Sequence, residues 1–175
     1  MSFAIFSDSS CNLPKAQLEE FQVQIISSSY EREGKLITCP PYPEDFDGHE
    51  YYNFLRNKGV VKTSLIPAAQ MEDAFRPVLA AGEDVLYITL SSGISGTVAS
   101  GLQAAQALME EFPQRQVRVL DSMGAGFGIG LLLGRASDDR KAGLNLDQTY
   151  ASLERDRDNL CEFFTVDDQI GRAHV

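Results

Sequence analysis

The seven residues Ser91-Ser92-Gly93-Ile94-Ser95-Gly96-Thr97 carry four hydroxyls. They stand directly after the strand-like run DVLYITL and directly before a helical pattern. A helix amino terminus presents unpaired backbone N–H groups and a partial positive charge. Hydroxyls beside it add hydrogen bonds to an anion, and Gly93 and Gly96 let the backbone come close to a ligand. Capping the helix needs one hydroxyl, not four. The chemistry this arrangement fits is oxyanion recognition. Three more turns share the composition: Ser7-Asp8-Ser9-Ser10, Lys62-Thr63-Ser64 and Asp121-Ser122-Met123-Gly124. The first and last end strands, where open parallel sheets bind ligands. The stretch 62–67 reads as a polar turn ahead of a helix.

Several other chemistries fail on spacing. No lysine follows the glycines of 91–97, so the phosphate loop GxxxxGK[ST] is absent. Gly124, Gly126 and Gly128 do not fit the dinucleotide fingerprint. Residues 93–97 read GxSGx rather than GxSxG, and the sole histidine after Ser95 is His174, so a serine esterase is disfavoured. His49 reads as an exposed residue at a helix start. Asp8 and Asp121 have two readings: a carboxylate pair for acid–base work, or caps that hold the hydroxyl loops. The chain of 175 residues is 43% hydrophobic with a formal net charge of −10. That acidity disfavours nucleic acid and anionic membranes as partners. No run of about 18 apolar residues could span a bilayer. The start MSFAIFSDSS is unlike a secretory signal. Cys11, Cys39 and Cys161 lack CxxC spacing, which favours reduced thiols in the cytoplasm over disulfides or a metal site.

The elements that must position these turns follow from hydrophobic pattern and breakers. Residues 3–6 read as a buried strand. Asn12 is placed to cap a helix with Pro14 in its opening turn. Residues 23–30 read as one strand, 31–34 as a turn and 35–38 as the return strand of a hairpin. The proline-rich stretch from Cys39 must be a loop, and Asp47 with Glu50 resembles a capping box for a helix over 49–59. Met71, Phe75, Val78 and Leu79 share a face of a helix over 68–81. Val98, Leu102, Ala105 and Met109 share a face of the helix after 97. A strand at 117–120 leads to an apolar helix ending near Arg140. A last helix runs from Asp147 to Asn159 with Tyr150 and Leu153 inward, and a strand is expected at 162–166 with its edge exposed. Strands alternating with helices predict an α/β layered fold with a mainly parallel sheet.

In this order, SDSSCNLP, FDGHEYYNFLRNKGVVKTS, ITLSSGISGTVAS, VLDSMGAGFGIGLL and FFTVDD resemble the DegV family of bacterial fatty-acid-binding proteins. The resemblance implies a first α/β domain, residues 1–168, packed in the family on a second domain that this sequence lacks. It implies a fatty acid as ligand and no cofactor, with the acyl chain in an apolar tunnel. The protein would be a carrier, not an enzyme, presenting the acid to a separate fatty acid kinase. Thr63 and Ser95 match the carboxylate-binding hydroxyls. Ser64, Ser92, Gly96 and Thr97 would support that pocket, and Asp8, Ser9, Asp121 and Ser122 would border it. Ile94, Phe127, Ile129 and Leu131 are candidates for the apolar lining, though plain core packing also explains them. The sequence departs from the family where Leu-Ile-Pro follows KTS in place of a commoner Gln-Pro-Ser.

The last residues change character abruptly. IGRAHV is what one frame of a common sequencing adapter encodes, so this reading assigns 169–175 to an artefact and expects a longer natural chain. Two rivals to the carrier remain. A phosphosugar isomerase-like domain would also use serine, threonine and glycine at a helix start. A plain interaction domain would use the hydroxyls only as caps.

Overall fold

The computed structural model describes residues 3–163. Four strands form a parallel sheet: β1 (Phe3–Asp8), β2 (Val23–Ile26), β6 (Asp84–Thr89) and β7 (Val117–Asp121), in the spatial order β2-β1-β6-β7. Alternation along the strands sends Phe3, Ile5, Leu86 and Ile88 to one face and Ala4, Phe6, Val85 and Tyr87 to the other. Because both faces are covered, β1 and β6 are buried along their whole length. The first face packs on α1 (Lys15–Phe21), α5 (Phe127–Lys141) and α6 (Leu146–Arg157), through Leu18, Ile129, Leu132, Leu133 and Leu153. The second packs on α3 (Ala68–Ala80) and α4 (Thr97–Glu111), through Met71, Phe75, Leu79, Ala104 and Leu108. Phe75 meets Phe6 edge-on, with ring centroids 4.9 Å apart.

A second, antiparallel sheet of three strands has the order β4-β3-β5. It comprises β3 (Ser29–Arg32), β4 (Lys35–Thr38) and β5 (Val61–Thr63). The expected hairpin is present, and its two-residue turn puts both Glu33 and Gly34 at positive φ, the geometry that suits strand twist. The helix α2 (Gly48–Arg56) rests on this sheet. Arg32 pairs with Glu50 at 2.6 Å and stacks over the Phe54 ring at 3.8 Å.

Several expectations need correction. The run 23–30 is two strands: the chain leaves the parallel sheet at Ser27 and Ser28 and enters the second sheet at Ser29. Lys62 and Thr63 are not a turn but the end of β5, where Thr63 pairs with Tyr30. Asn12 does not cap α1; it ends a short 3-10 turn in the left-handed conformation, and Pro14 opens the helix. Asp47 caps α2 through the Glu50 N–H, but the Glu50 side chain turns to Arg32, so the capping box is incomplete. A complete box sits instead on α6, between Asn145 and Gln148. Glu162 and Phe163 form no strand, and the rest of the strand expected at 162–166 lies outside the described residues.

The inward face of α4 includes the expected Val98 and Ala105 but is turned away from Leu102 and Met109. Its buried residues are Thr97, Val98, Gly101, Ala104, Ala105 and Leu108, whereas Leu102 is 55% exposed and Met109 is also exposed. Small residues face the sheet because α4 lies close to β7, and large ones are left outside. Leu102→Gln is therefore expected to change stability by less than about 0.5 kcal/mol in chemical denaturation, as at other exposed sites. A loss above about 2 kcal/mol would mean that Leu102 is a core residue after all.

Candidate functional site

The strand order reverses direction between β1 and β6: β2 lies outward of β1, and β7 lies outward of β6. The crevice beyond the carboxyl ends of such a pair is where α/β sheets bind ligands. A cleft of about 660 Å³ opens there. Asp8 and Ser10 enter it from the end of β1, and Leu90, Ile94, Ser95, Gly96 and Thr97 from the loop after β6. The second sheet closes the other side. Ser28, Ser29 and Tyr30 reach the cleft from β3 and the bend before it. Thr63, Ser64, Leu65 and Ile66 reach it from β5 and the segment that follows. Cys39, Phe46, Tyr51 and Tyr52 complete it. The aromatic rings form a continuous wall. Tyr51 lies 5.4 Å from Tyr30, 5.2 Å from Phe46 and 5.4 Å from Tyr52, centroid to centroid, in edge-on or tilted contacts.

The hydroxyl wiring shows what the cleft can offer a ligand. Ser95 Oγ lies 2.8 Å from Thr97 Oγ1. Ser95 Oγ also accepts the Thr97 N–H at 3.2 Å, and Thr97 Oγ1 accepts the Ile66 N–H at 3.4 Å. The two hydroxyls own two protons and share one bond, so one proton is left for a third partner. Thr97 is buried and Ser95 half-buried, so when Thr97 donates to Ser95 the spare proton faces the cleft from Ser95. Among the described residues, neither the Thr63 nor the Ser64 hydroxyl has a hydrogen-bond partner. These donors stand near the amino terminus of α4, where Gly96 supplies no side-chain cap. A Cβ on Gly96 would come within 3.0 Å of Leu65 Cδ2, so the glycine lets the two sides of the cleft approach.

Asp8 is wired differently. It is 2% exposed, and both its oxygens are filled. One accepts the Ser10 N–H at 2.9 Å and the Ser10 hydroxyl. The other accepts the Tyr87 hydroxyl at 3.0 Å and the Thr89 hydroxyl at 2.5 Å. Burial, with the Asp8 charge second, pushes the Tyr87 phenol well above its ordinary pKa, so it stays a donor. Asp8 is thus a buried acceptor that fixes the end of β1.

Of the remaining polar residues singled out from sequence, Ser9, Ser92, Asp121 and Ser122 lie outside the cleft lining. Ser9 Oγ bonds Ser28 Oγ at 2.7 Å and accepts the Ser28 N–H, so it holds a lining residue in place. Asp121 accepts N–H bonds from Ser92 at 3.1 Å and Met123 at 3.0 Å, bracing the loop before α4. Burial raises its pKa. The hydrogen bonds from Ser92 and Met123 and the Arg157 charge outweigh burial and hold it below the ordinary value. Asp8 and Asp121 each serve their own loop, and neither geometry is that of a carboxylate pair sharing a substrate. Ser122 closes a tight turn, bonding both the carbonyl and the N–H of Gly124. Of the apolar candidates, Ile94 lines the cleft, Ile129 is core, and Phe127 and Leu131 lie exposed on a separate groove. His49 is exposed in the first turn of α2. Sequence reasoning marked the turn that holds Ser10 without assigning that residue to the site, and it missed Ser28, Ser29 and the aromatic wall. The dense tyrosines and phenylalanine of 42–54 were the available signal.

A family model described as an uncharacterised protein of the DegV family matches residues 2–169. The chain belongs to the DegV family. A DegV domain-containing protein of Clostridium perfringens is 30% identical over 169 residues, a match covering 94% of this chain and 56% of the relative. Among solved structures, a DegV family protein from Thermus thermophilus described for its fatty acid binding is 28% identical with a TM-score of 0.78. The match covers 90% of this chain and 54% of that one. A stearic-acid-binding protein from Eubacterium ventriosum is 26% identical with a TM-score of 0.77, over 87% and 52% of the two chains. The chain therefore spans a little over half the length of these DegV relatives. No helix among the described residues is long and apolar enough to cross a membrane. No group of three or more His, Cys, Asp and Glu among them is placed to hold a metal ion.

Proposed function

We propose that this DegV domain binds a long-chain fatty acid in the cleft between the two sheets. The carboxylate is held by Ser95, Thr63 and Ser64 at the amino terminus of α4, and the acyl chain runs along Tyr30, Phe46, Tyr51, Tyr52, Leu65 and Ile94. The observation that carries this reading is the Ser95–Thr97 hydroxyl pair, which holds one proton more than its shared bond uses, beside an aromatic and aliphatic wall within one cleft. A singly charged carboxylate needs only a few neutral donors, and each methylene removed from water contributes about 0.8 kcal/mol. The Thermus and Eubacterium relatives, described as binding fatty acid and stearic acid, support the same ligand class. Ser92, Asp121 and Ser9 act one step behind, by holding the loops.

The domain acts as a carrier that presents its acid to a separate fatty acid kinase; it is not itself a catalyst. Support lies in Asp8, the one carboxylate in the lining among the described residues, whose oxygens are both occupied by donors and are not free for proton transfer. Free Cys11, Cys39 and Cys161 accord with a reducing, cytoplasmic setting. The rival phosphosugar reading is weaker because, among the described residues, no lysine, arginine or histidine lines the cleft, and a phosphate dianion would face the buried Asp8 carboxylate.

Native mass spectrometry of the full-length protein, purified from bacteria without detergent, tests the reading. One long-chain fatty acid per protomer is the expected result. A protein that arrives empty and takes up no added oleate would overturn it. Uptake of a sugar phosphate instead would favour the isomerase-like reading.

A further inference from the structure

The aromatic wall of the cleft is more polar than a hydrocarbon chain requires. Tyr30 lines the cleft and is only 9% exposed. Among the described residues its hydroxyl has no hydrogen-bond partner, and neither has the Tyr51 hydroxyl or the Cys39 thiol, which line the same cleft. Covered polar groups in folded proteins are almost always paired, so an orphan hydroxyl in a ligand-sized cleft points to a partner on the ligand. These groups lie together. The Tyr51 ring stands 5.4 Å from that of Tyr30. Burial, and after it a charge on Cys39, raises the Tyr30 phenol above its ordinary pKa. Burial, followed by charges on Tyr30, Tyr52 and Cys39, does the same for Tyr51. Groups that feel one another's charge share one region, and both phenols stay protonated donors at neutral pH. Phe46, in the same wall, shows what a purely apolar lining would use: a ring with no donor to satisfy.

Resting on the fatty-acid reading of the cleft, we propose that Tyr30, Tyr51 and Cys39 form a second polar subsite, and that the preferred ligand is a hydroxylated long-chain acid. The carboxylate stays with Ser95, Thr63 and Ser64, and the oxygen on the chain accepts from the phenols, with the Cys39 thiol as a weaker third donor. Tyr30 pairs with Thr63 across the antiparallel ladder. The subsite therefore begins beside the carboxylate donors and continues through Tyr51 along the path of the tail. A chain of methylenes alone would strip water from the phenols and return no hydrogen bond, which is costly for any polar group. A site whose donors await a ligand oxygen discriminates against the analogue that lacks it.

The test is competition against a fluorescent fatty acid in the full-length protein. Stearate is compared with hydroxystearates whose hydroxyl stands near the carboxylate, at mid-chain or near the methyl end. At least one hydroxylated acid should bind about tenfold more tightly than stearate. The ratio of the two affinities is the quantity to follow, because loss of packing alone weakens both acids together. In Tyr30→Phe the ratio should fall toward unity, and Tyr51→Phe makes the same measurement if the first variant does not fold. The subsite is overturned if no hydroxylated acid exceeds stearate, or if the advantage survives in both phenylalanine variants. Stearate is still bound in those outcomes, so the fatty-acid reading stands without the subsite. A protein that binds none of the acids overturns both.

Discussion

Replacing Ser95 and Thr63 together by alanine should weaken fatty-acid binding by at least about 100-fold in the full-length protein. A hydrogen bond to a charged group contributes about 1.5–3 kcal/mol, so two lost bonds amount to about 3–6 kcal/mol. A factor of ten corresponds to about 1.4 kcal/mol. The fold should survive. Thr63 is exposed at the end of β5, and Ser95 loses only its contacts with Thr97, for about 1 kcal/mol. Displacement of a fluorescent fatty acid, read beside circular dichroism, separates the two effects. If affinity is unchanged in the double variant, the carboxylate is held elsewhere. If affinity falls in step with folding, the hydroxyls are caps and no more.

Asp8→Ala should act on stability first. It leaves the Tyr87 and Thr89 hydroxyls and the Ser10 N–H without their acceptor, in a place where water has little access. Each buried unpaired group costs about 1–3 kcal/mol. Tyr87 and Thr89 can still bond to each other at 3.2 Å, so a total near 3 kcal/mol is expected rather than the full sum. In a domain of this size that lowers the melting temperature by about 6–12 °C, readable by calorimetry. Asp8→Asn keeps one acceptor and should fall between the two. A loss under about 1 kcal/mol for the alanine variant would mean that water reaches these donors, and that the floor of the cleft is wetter than its burial implies.

Most of the parallel sheet was legible because its strands are bounded by unambiguous neighbours. DVLYITL is too short and too β-branched for a helix and ends in a glycine turn, and the structure has β6 there. The bend at Ser27 and Ser28 was not legible. Three serines in a row carry no hydrophobic period, so nothing in VQIISSSY marks where one sheet is left for another. Lys62 and Thr63 looked like a turn for a related reason: β5 is three residues long, and Tyr30 opposite it is far away in sequence. The face of α4 was lost to a preference for large side chains, when close helix–sheet contact had selected Gly101, Ala104 and Ala105. For the candidate site, hydroxyl density pointed to Ser95, Gly96 and Thr97, which sit on one short loop and line the cleft. The rule did not separate Thr63, whose hydroxyl has no partner among the described residues, from Ser122, whose hydroxyl is spent on its own turn. That difference lies in hydrogen-bond partners, and composition does not encode them.

The break between β2 and β3 has a consequence for how such proteins diversify. In the binding mode proposed above, the head of the ligand would be held from both ladders: the Ser95 loop hangs from the parallel sheet, and Thr63 ends β5 of the antiparallel one. Tyr30 pairs with Thr63 in that ladder, whereas Tyr51 and Tyr52 stand on α2, outside either sheet. An exchange at Tyr51 or Tyr52 would therefore leave the strands beneath Ser95 and Thr63 untouched. In such a site the preference for the tail would change most easily through the helix, and the grip on the acid would be inherited with the strands.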